Sequence, residues 1–187
     1  IHTDYSTISV NAKKELPVWN SFDRIMAVSE GVKTNFLQTF PSLEGKVEVM
    51  ENILSPTFVR EQADLQDVSA EMPAIEGELR FCSVGRYTLA KNFDNVPFIC
   101  RKLVEKGLKF KWYLIGYGGD EALIQANIRQ AGMEEVGILL GKKANPYPYM
   151  KACDMYIQPS RFEGKAVTVR EAQILGKPII ITRFATS

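Results

Sequence analysis

An alternation of apolar runs with helical patterns over residues 78–181 constrains the fold more than any other feature of the chain. Apolar runs bounded by Gly, Pro or Asn predict strands, and the segments between them carry apolar residues at helical spacing. The predicted strands are 78–84, 110–115, 136–140, 155–158 and 178–181, and the predicted helices are 92–106, 120–131, 148–152 and 167–175. This regular alternation predicts an α/β domain with a parallel sheet and right-handed crossovers.

The residues before this region predict a smaller piece of the same kind of structure. Strands are expected at 22–29 and 46–54, with a helix at 31–40 between them. The acidic stretch 56–77 contains two prolines and predicts a connector with one helical stretch around 61–68. Because the chain starts at Ile1 and stops soon after an apolar strand, we expect it to be a piece of a longer protein.

Composition excludes several classes of protein. Of the 187 residues, 45% are hydrophobic and 24% are charged, which is typical of a soluble globular protein. Lys plus Arg is 23 and Asp plus Glu is 22, so the net charge of +1 argues against a nucleic-acid binder. Cys82, Cys100 and Cys153 are too few and too widely spaced for a disulfide framework or a zinc site. They fit a reducing compartment, and we expect a cytoplasmic protein.

Two cations follow the first strand of the larger region. Ligands of parallel sheets bind at the carboxyl ends of the strands, where Gly85 and Arg86 are followed by Lys91. We expect this turn to open a helix, whose free amides and dipole favour anions. The Arg86 guanidinium and the Lys91 ammonium would then suit a diphosphate. The alternative, that both are solvated surface charges, is equally open from the sequence.

A glycine-rich loop follows the second strand of this region, over residues 116–121. It does not match the dinucleotide-binding pattern G-x-G-x-x-G, because the third glycine would fall at Glu121. The loop instead predicts a tight turn into a helix. Its sequence therefore counts against a Rossmann-type oxidoreductase.

Two glutamates eight residues apart follow the fourth strand. If Glu163 and Glu171 lay on one helix, about 12 Å of rise would separate them. A retaining glycoside hydrolase needs its two carboxylates roughly 5 Å apart, which excludes that reaction. Glu171 falls within the apolar arc of its predicted helix, and a buried carboxylate must find donors. Ligand hydroxyls would serve, and the alternative is a carboxylate that reaches past the helix end.

These motifs together resemble those of a known enzyme family. Glu163-x7-Glu171, followed by Ala172 and Gly176-Lys177-Pro178, resembles the nucleotide-sugar signature of retaining glycosyltransferases with two Rossmann-like domains (the GT-B fold, family 4 or group 1). Gly85-Arg86 with Lys91 resembles the phosphate-binding turn of that family. Residues 22–30 and Glu51-Asn52 resemble the end of its N-terminal, acceptor-binding domain. The sequence of residues 163–171 is most similar to those of the family members in the bacterial capsular and surface polysaccharide branch.

The resemblance implies a site for a nucleotide-sugar donor, most simply a UDP-sugar. Arg86 and Lys91 would hold the diphosphate and neutralise the charge that develops on the leaving group. Glu171 would accept hydrogen bonds from the ribose hydroxyls. Enzymes of this fold generally need no metal, which fits the absence of an Asp-x-Asp motif, so we expect no cofactor.

The resemblance also assigns the sugar contacts. Glu163 would accept from hydroxyls of the transferred sugar, and the amides of Ala166 and Val167 would point at sugar or phosphate. His2 would reach the sugar from the acceptor side as the second catalytic residue. Lys165 and Ala166 stand where the commonest family form has an aromatic residue and a glycine, so Lys165 bears on which sugar is bound.

The resemblance divides the chain into three parts. Residues 1–57 would be the end of the acceptor domain, 58–77 a linker, and 78–187 most of the donor domain. The expected reaction is retaining transfer of a sugar to a growing polysaccharide or a lipid-linked oligosaccharide, and we expect no turnover by this chain alone. A non-catalytic nucleotide-sugar-binding GT-B module and another Rossmann-type nucleotide enzyme remain as alternatives. Peripheral contact with the inner face of the cell membrane, made by a longer protein, also stays open.

Overall fold

The computed structural model describes Ile1 and residues 11–183, and the chain divides into two compact units. Unit 1 consists of Ile1–Ile53, Phe162–Val167 and Arg183–Ser187, and unit 2 consists of Leu54–Arg161 and Thr168–Thr182. Within the described residues, no helix has both the length and the apolar character needed to cross a membrane.

Unit 1 contains two short parallel strands and their helices. Its elements are α1 (Ala12–Asn20), β1 (Ile25–Ala27), α2 (Glu30–Thr39), a 3₁₀ helix (Pro41–Lys46) and β2 (Val47–Val49). Ile25 pairs with Val47 in the two-stranded sheet. The Ser29 hydroxyl caps α2 by accepting from the Val32 amide. Buried Val32 and Phe36 of that helix then pack on the sheet residues.

Helix α1 has no counterpart in the sequence prediction. Its sequence carries Pro17 in the helix interior, where a proline normally removes a hydrogen bond and clashes with the preceding turn. The Asn11 side chain caps the helix at the Lys14 amide, and Trp19 packs edge-on against Phe36 with ring centroids 5.1 Å apart. Capping and aromatic packing therefore override the local propensity.

Unit 2 is a five-stranded, fully parallel sheet with helices between the strands. Its elements are α3 (Pro56–Ala63), β3 (Leu79–Val84), α4 (Val96–Glu105), β4 (Phe110–Ile115), α5 (Glu121–Ala131), β5 (Gly137–Gly141), α6 (Tyr147–Ala152), β6 (Met155–Gln158), α7 (Val167–Ile174) and β7 (Ile179–Ile181). The strand order is β5-β4-β3-β6-β7. The α/β class and the parallel sheet expected from the sequence are confirmed.

Burial on both faces explains the continuous apolar runs of this sheet. In β4, Trp112 and Leu114 belong to the core cluster that includes α4 and α5, whereas Tyr113 and Ile115 belong to the cluster that includes α6 and α7. Successive side chains of a strand point to opposite faces, so each face of β4 meets its own helical layer. Hydrophobic burial on two sides thus fixes the sheet in the interior of unit 2.

Two helix positions differ from the prediction. A helix expected at 61–68 lies instead at Pro56–Ala63, because the Ser55 hydroxyl caps the Phe58 amide and Pro56 suits the first helical position. A helix expected from Asn92 starts at Val96. Asn92 has a left-handed φ of 59°. This conformation separates two 3₁₀ turns, Leu89–Lys91 and Phe93–Asn95, and prevents one continuous helix.

Candidate donor-binding site

The turn after β3 carries the two cations that the sequence singles out. A Cβ added at Gly85 would lie 3.0 Å from Cε and 3.1 Å from Cδ of Lys91, so the Lys91 stem crosses directly over Gly85. Arg86 is exposed, and its side chain takes part in no ion pair among the described residues. Lys91 ends a 3₁₀ turn, and α4 begins only at Val96. The expectation that this turn opens directly into the helix is therefore wrong, because two 3₁₀ turns come between them, although both cations lie at the carboxyl edge of β3.

An arginine from the loop after β6 holds this turn in place. The Arg161 Nη1 and Nη2 atoms donate to Asp94 Oδ1 and Oδ2 at 2.8 and 2.9 Å, and Nη1 also donates to the Leu89 carbonyl at 2.8 Å. The Arg161 backbone amide donates to the Ala90 carbonyl at 2.8 Å. The bond to Arg161 holds the pKa of Asp94 below its ordinary value, and the bond to Asp94 raises the pKa of Arg161. The charged pair is therefore stable across the neutral range.

Asn92 adds a second connection between the same two loops. Its Nδ2 donates to the Pro159 carbonyl at 2.8 Å, while its Oδ1 is buried with no partner among the described residues. A left-handed backbone and a buried unsatisfied oxygen both cost free energy. The bonds made by Arg161 and Asn92 offset that cost, and together they fix the backbone next to Lys91.

The glycine loop after β4 supports the turn from the other side. A Cβ at Gly116 would come within 1.8 Å of the Gly85 carbonyl oxygen, and one at Gly118 within 2.3 Å of the Tyr87 carbonyl oxygen. The Tyr87 amide also donates to the Tyr117 carbonyl at 2.8 Å. The predicted tight turn into α5 is confirmed. The sequence alone did not show why glycine is required at Gly116 and Gly118. They allow the two backbones to touch.

Glu171 is buried in α7, as its position in the apolar arc predicts. Its side chain is only 9% exposed, and Oε1 accepts a hydrogen bond from the Tyr147 hydroxyl at 2.9 Å. Burial raises the pKa of the Glu171 carboxyl above its ordinary value, and the Tyr147 bond partly opposes that rise. The donor that a buried carboxylate requires is thus supplied by the protein for one oxygen.

A buried polar network places the start of α7 at the carboxyl end of β6. Gln158, the last residue of β6, has no exposed surface. Its Oε1 accepts from the Tyr156 hydroxyl at 2.8 Å and from the Thr168 hydroxyl at 3.3 Å, and its Nε2 donates to the Ser160 hydroxyl at 2.8 Å. Since β6 pairs directly with β3, the helix of Glu171 begins at the same edge of the sheet as the Arg86 turn.

Four more predicted site residues, Glu163, Lys165, Ala166 and Val167, lie in the segment Phe162–Val167 of unit 1. Glu163 precedes α7, as the predicted helix 167–175 implies, so a helical rise does not describe its separation from Glu171. Glu163 is half-buried and already interacts with neighbouring groups. Its role toward a sugar stays a prediction.

Lys165 and its neighbours are engaged within unit 1. Lys165 Nζ pairs with Glu51 Oε1 at 2.6 Å, and the Val167 amide donates to the Lys165 carbonyl at 2.9 Å. If the Val167 amide contacts a sugar or phosphate, its hydrogen bond to the Lys165 carbonyl must first break. Ala166 is half-buried between them. His2 lies outside the described residues.

Sequence reasoning missed Tyr147, Asp94 and the role of Arg161. Arg161 follows Pro159-Ser160 at a strand end, a position that signals a ligand-side loop, but its partner Asp94 is 67 residues away. Tyr147 is likewise 24 residues from Glu171. Neither pairing has a local sequence signal, because each joins two elements that are far apart in the sequence and meet only in the folded unit.

Comparison with known proteins identifies the family of this chain. The family described as "Glycosyl transferases group 1" matches residues 66–186. The chain is 26% identical over 160 residues to the N-acetylgalactosamine-N,N'-diacetylbacillosaminyl-diphospho-undecaprenol 4-alpha-N-acetylgalactosaminyltransferase of Campylobacter jejuni, covering 86% of this chain and 41% of that protein. It is 30% identical over 115 residues to the amylovoran biosynthesis glycosyltransferase AmsK of Erwinia amylovora, covering 57% and 28%.

A solved structure resembles the fold over nearly the whole chain. The crystal structure of Anabaena Alr3699/HepE in complex with UDP-glucose aligns with a TM-score of 0.78 at 18% identity, over 97% of this chain and 51% of that protein. The chain thus spans about half the length of this neighbour and about two fifths of the Campylobacter relative. This likeness confirms the expected GT-B fold class, and the match to residues 66–186 shows that the chain belongs to the group 1 glycosyl transferases.

Proposed function

We propose that the carboxyl edge of β3 and β6 binds the nucleoside diphosphate of a sugar donor, and that the whole protein transfers that sugar with retention. Arg86 and Lys91 contact the diphosphate, and Glu171 accepts from the ribose hydroxyls. Glu163 and the amides of Ala166 and Val167 contact the transferred sugar.

One observation carries this proposal. The turn that bears Arg86 and Lys91 and the loop that leads from β6 toward α7 are tied together by the bonds of Arg161 and Asn92. Two cations and a buried carboxylate are thereby held on elements that begin at one edge of a parallel sheet. That edge is where ligands of such sheets bind.

The chemistry of the leaving group explains the need for cations there. When the bond between the anomeric carbon and the diphosphate breaks, negative charge builds up on the phosphate oxygens. Preorganised positive groups stabilise that charge more in the transition state than in the bound donor. Arg86 and Lys91 supply this stabilisation without a metal.

The relatives guide the choice of donor and acceptor. The Anabaena neighbour binds UDP-glucose, which supports a UDP-sugar donor for this chain. The Campylobacter relative acts on a diphospho-undecaprenol-linked sugar, and the Erwinia relative serves amylovoran biosynthesis. Both support a lipid-linked oligosaccharide or a growing polysaccharide as the acceptor.

Calorimetric titration of the chain with UDP, GDP and ADP tests the proposal. We expect UDP to bind most tightly, and we expect Glu171→Ala to weaken UDP about tenfold, because a charged hydrogen bond to the ribose is lost. Glu163→Ala is the matched control, since UDP carries no sugar for it to contact. Absence of binding by all three nucleotides, or equal losses in the two variants, would contradict the assignment.

A further inference from the structure

Glu171 depends on a single hydroxyl for its orientation. The Tyr147 Oη donates to Oε1 at 2.9 Å, and among residues 11–183 no donor reaches Oε2. A buried carboxylate with one fixed oxygen and one unbound oxygen presents a directed acceptor. Whatever sets the position of the Tyr147 hydroxyl therefore sets the direction in which Oε2 is offered.

Tyr147 is itself held at its backbone and at its ring. Its amide donates to Asn145 Oδ1 at 3.1 Å, and the Asn145 Nδ2 donates to the Gln62 carbonyl of α3 at 2.7 Å. The Tyr147 ring meets Phe58 edge-on, with centroids 6.4 Å apart. The first turn of α6 is thus anchored on α3, which leaves the hydroxyl little freedom to move away from Glu171.

We propose that Tyr147 is a positioning residue for the donor ribose: its hydroxyl holds one oxygen of Glu171 so that the other accepts from the 2′ and 3′ hydroxyls. This inference rests on the proposed function, because it requires Glu171 to contact ribose. It adds a residue that the signature around Glu163 and Glu171 does not contain. Tyr147 would act through Glu171 and make no ligand contact of its own.

The protonation states suit this role. Burial raises the pKa of Tyr147 to about 12, so the hydroxyl remains a donor at neutral pH. Tyr156 on β6 also interacts electrostatically with Glu171. Burial, with a smaller contribution from the Glu171 charge, raises the pKa of Tyr156. No charged side chain among the described residues pairs with Glu171. Removing the Tyr147 hydroxyl would therefore remove the hydrogen bond that lowers the pKa of Glu171, and burial would raise that pKa further.

The test compares Tyr147→Phe with Tyr149→Phe in the full chain. Both residues lie on α6, and the Tyr149 hydroxyl donates to Glu71 Oε1 at 2.7 Å and not to Glu171. Carbon-13 NMR of the ligand-free protein follows the carboxyl titration of Glu171, assigned with Glu171→Gln. Calorimetry compares UDP with 2′,3′-dideoxyuridine diphosphate, which lacks the ribose hydroxyls.

We expect Tyr147→Phe to move the Glu171 titration to higher pH and to weaken UDP about three- to tenfold, with little effect on the dideoxy analogue. Tyr149→Phe should leave both readouts at the wild-type values. An unchanged Glu171 titration, or an unchanged preference for UDP in Tyr147→Phe, overturns the inference alone. If Glu171→Ala keeps the full preference for UDP over its dideoxy analogue, the proposed function fails and the inference falls with it.

Discussion

The Arg161 guanidinium grips the Asp94 carboxylate through two parallel hydrogen bonds of 2.8 and 2.9 Å. This forked geometry joins the loop after β6 to the 3₁₀ turn before α4. Both side chains are half-buried, with exposed fractions of 31% for Arg161 and 18% for Asp94. A bidentate pair of this kind restricts position as well as adding energy, so it fixes the turn Phe93–Asn95, while the bond from Arg161 to the Leu89 carbonyl holds the preceding turn that ends at Lys91.

Breaking this pair should weaken nucleotide binding. In Asp94→Asn the charge and one acceptor are lost while the volume stays the same. Arg161 is then held less firmly, so the turn Leu89–Lys91, to which Arg161 also bonds, gains freedom. We expect UDP to bind about three- to tenfold more weakly, because the cation must be ordered on binding. Calorimetric titration with UDP gives the affinity, and a melting curve gives the stability of the same variant.

Asp154→Asn is the matched control for that experiment. Asp154 pairs with Arg80 at 3.3 Å and joins β3 to β6 at their amino ends, away from the proposed site. It should lower the melting temperature and leave the UDP affinity unchanged. If Asp94→Asn and Asp154→Asn lower the melting temperature by the same amount and both retain the wild-type UDP affinity, the Arg161–Asp94 pair contributes only to stability.

The glycine loop provides a test of backbone contact. Gly116→Ala would place a Cβ 1.8 Å from the Gly85 carbonyl oxygen, which neither backbone can accommodate without moving. We expect the melting temperature to fall by at least about 5 °C. Circular dichroism measures it, and UDP affinity should fall with it because Gly85 lies beneath Lys91.

Two further alanine substitutions separate the causes. Gly119 has open space around its Cβ position, so Gly119→Ala should be nearly neutral. Gly132 has a φ of +65° but also open space, so Gly132→Ala should show only the cost of backbone strain, about 1 kcal/mol. A loss in Gly116→Ala no larger than that in Gly132→Ala would mean that the contact with Gly85 relaxes freely.

The alternation of apolar runs sufficed to predict the sheet of unit 2, and it predicted β4 and β6 residue by residue. A buried parallel strand must be apolar along its whole length, so its signal is local. The start of α4 could not be predicted, because it depends on Asn92 adopting a left-handed backbone and bonding to Pro159 in a distant loop. Helix α1 could not be predicted either, since Pro17 argues against it locally.

The site divides along the same line. Gly85, Arg86 and Glu171 stand out because each combines a residue type with a strand end or an apolar arc. The partners that hold them do not stand out. Tyr147 reaches Glu171 only through the packing of α6 beside α7, and that packing has no sequence pattern of its own.

The charge of Glu171 should cost stability in the free protein. Because burial raises its folded pKa above the unfolded value, ionisation disfavours folding once the pH exceeds the ordinary glutamate pKa of about 4.3, and fully so above the folded pKa. Glu171→Gln keeps an acceptor for Tyr147 and removes the charge. We expect its melting temperature at about pH 7.5 to exceed that of wild type.

The pH dependence of this difference in melting temperature shows whether the charge of Glu171 causes it. Below about pH 4 the wild-type carboxyl is protonated in both states, so the gap between the two melting temperatures should close. Differential scanning calorimetry from pH 3 to pH 8 follows this gap. A gap that stays constant over this range would show that packing, and not charge, separates the two proteins.

Nucleotide binding should not require a divalent metal, because Arg86 and Lys91 already supply the positive charge. We expect the UDP affinity in EDTA to lie within about threefold of that in magnesium, where complexation of free UDP by the metal lowers it slightly. Titration in EDTA, magnesium and manganese checks this. Binding that occurs only with a metal would contradict the proposed chemistry.

The most direct test of the donor site is the affinity of Arg86→Ala and Lys91→Ala for UDP compared with uridine. A charge-assisted phosphate contact contributes about 1.5–3 kcal/mol, so each variant should bind UDP about ten- to a hundredfold more weakly while uridine is almost unaffected. Arg129→Ala and Lys102→Ala, which remove exposed cations from α5 and α4, are the matched controls and should bind UDP as wild type does. If Arg86→Ala and Lys91→Ala also bind UDP with wild-type affinity, these cations are solvated surface charges and the β3 turn is not a diphosphate site.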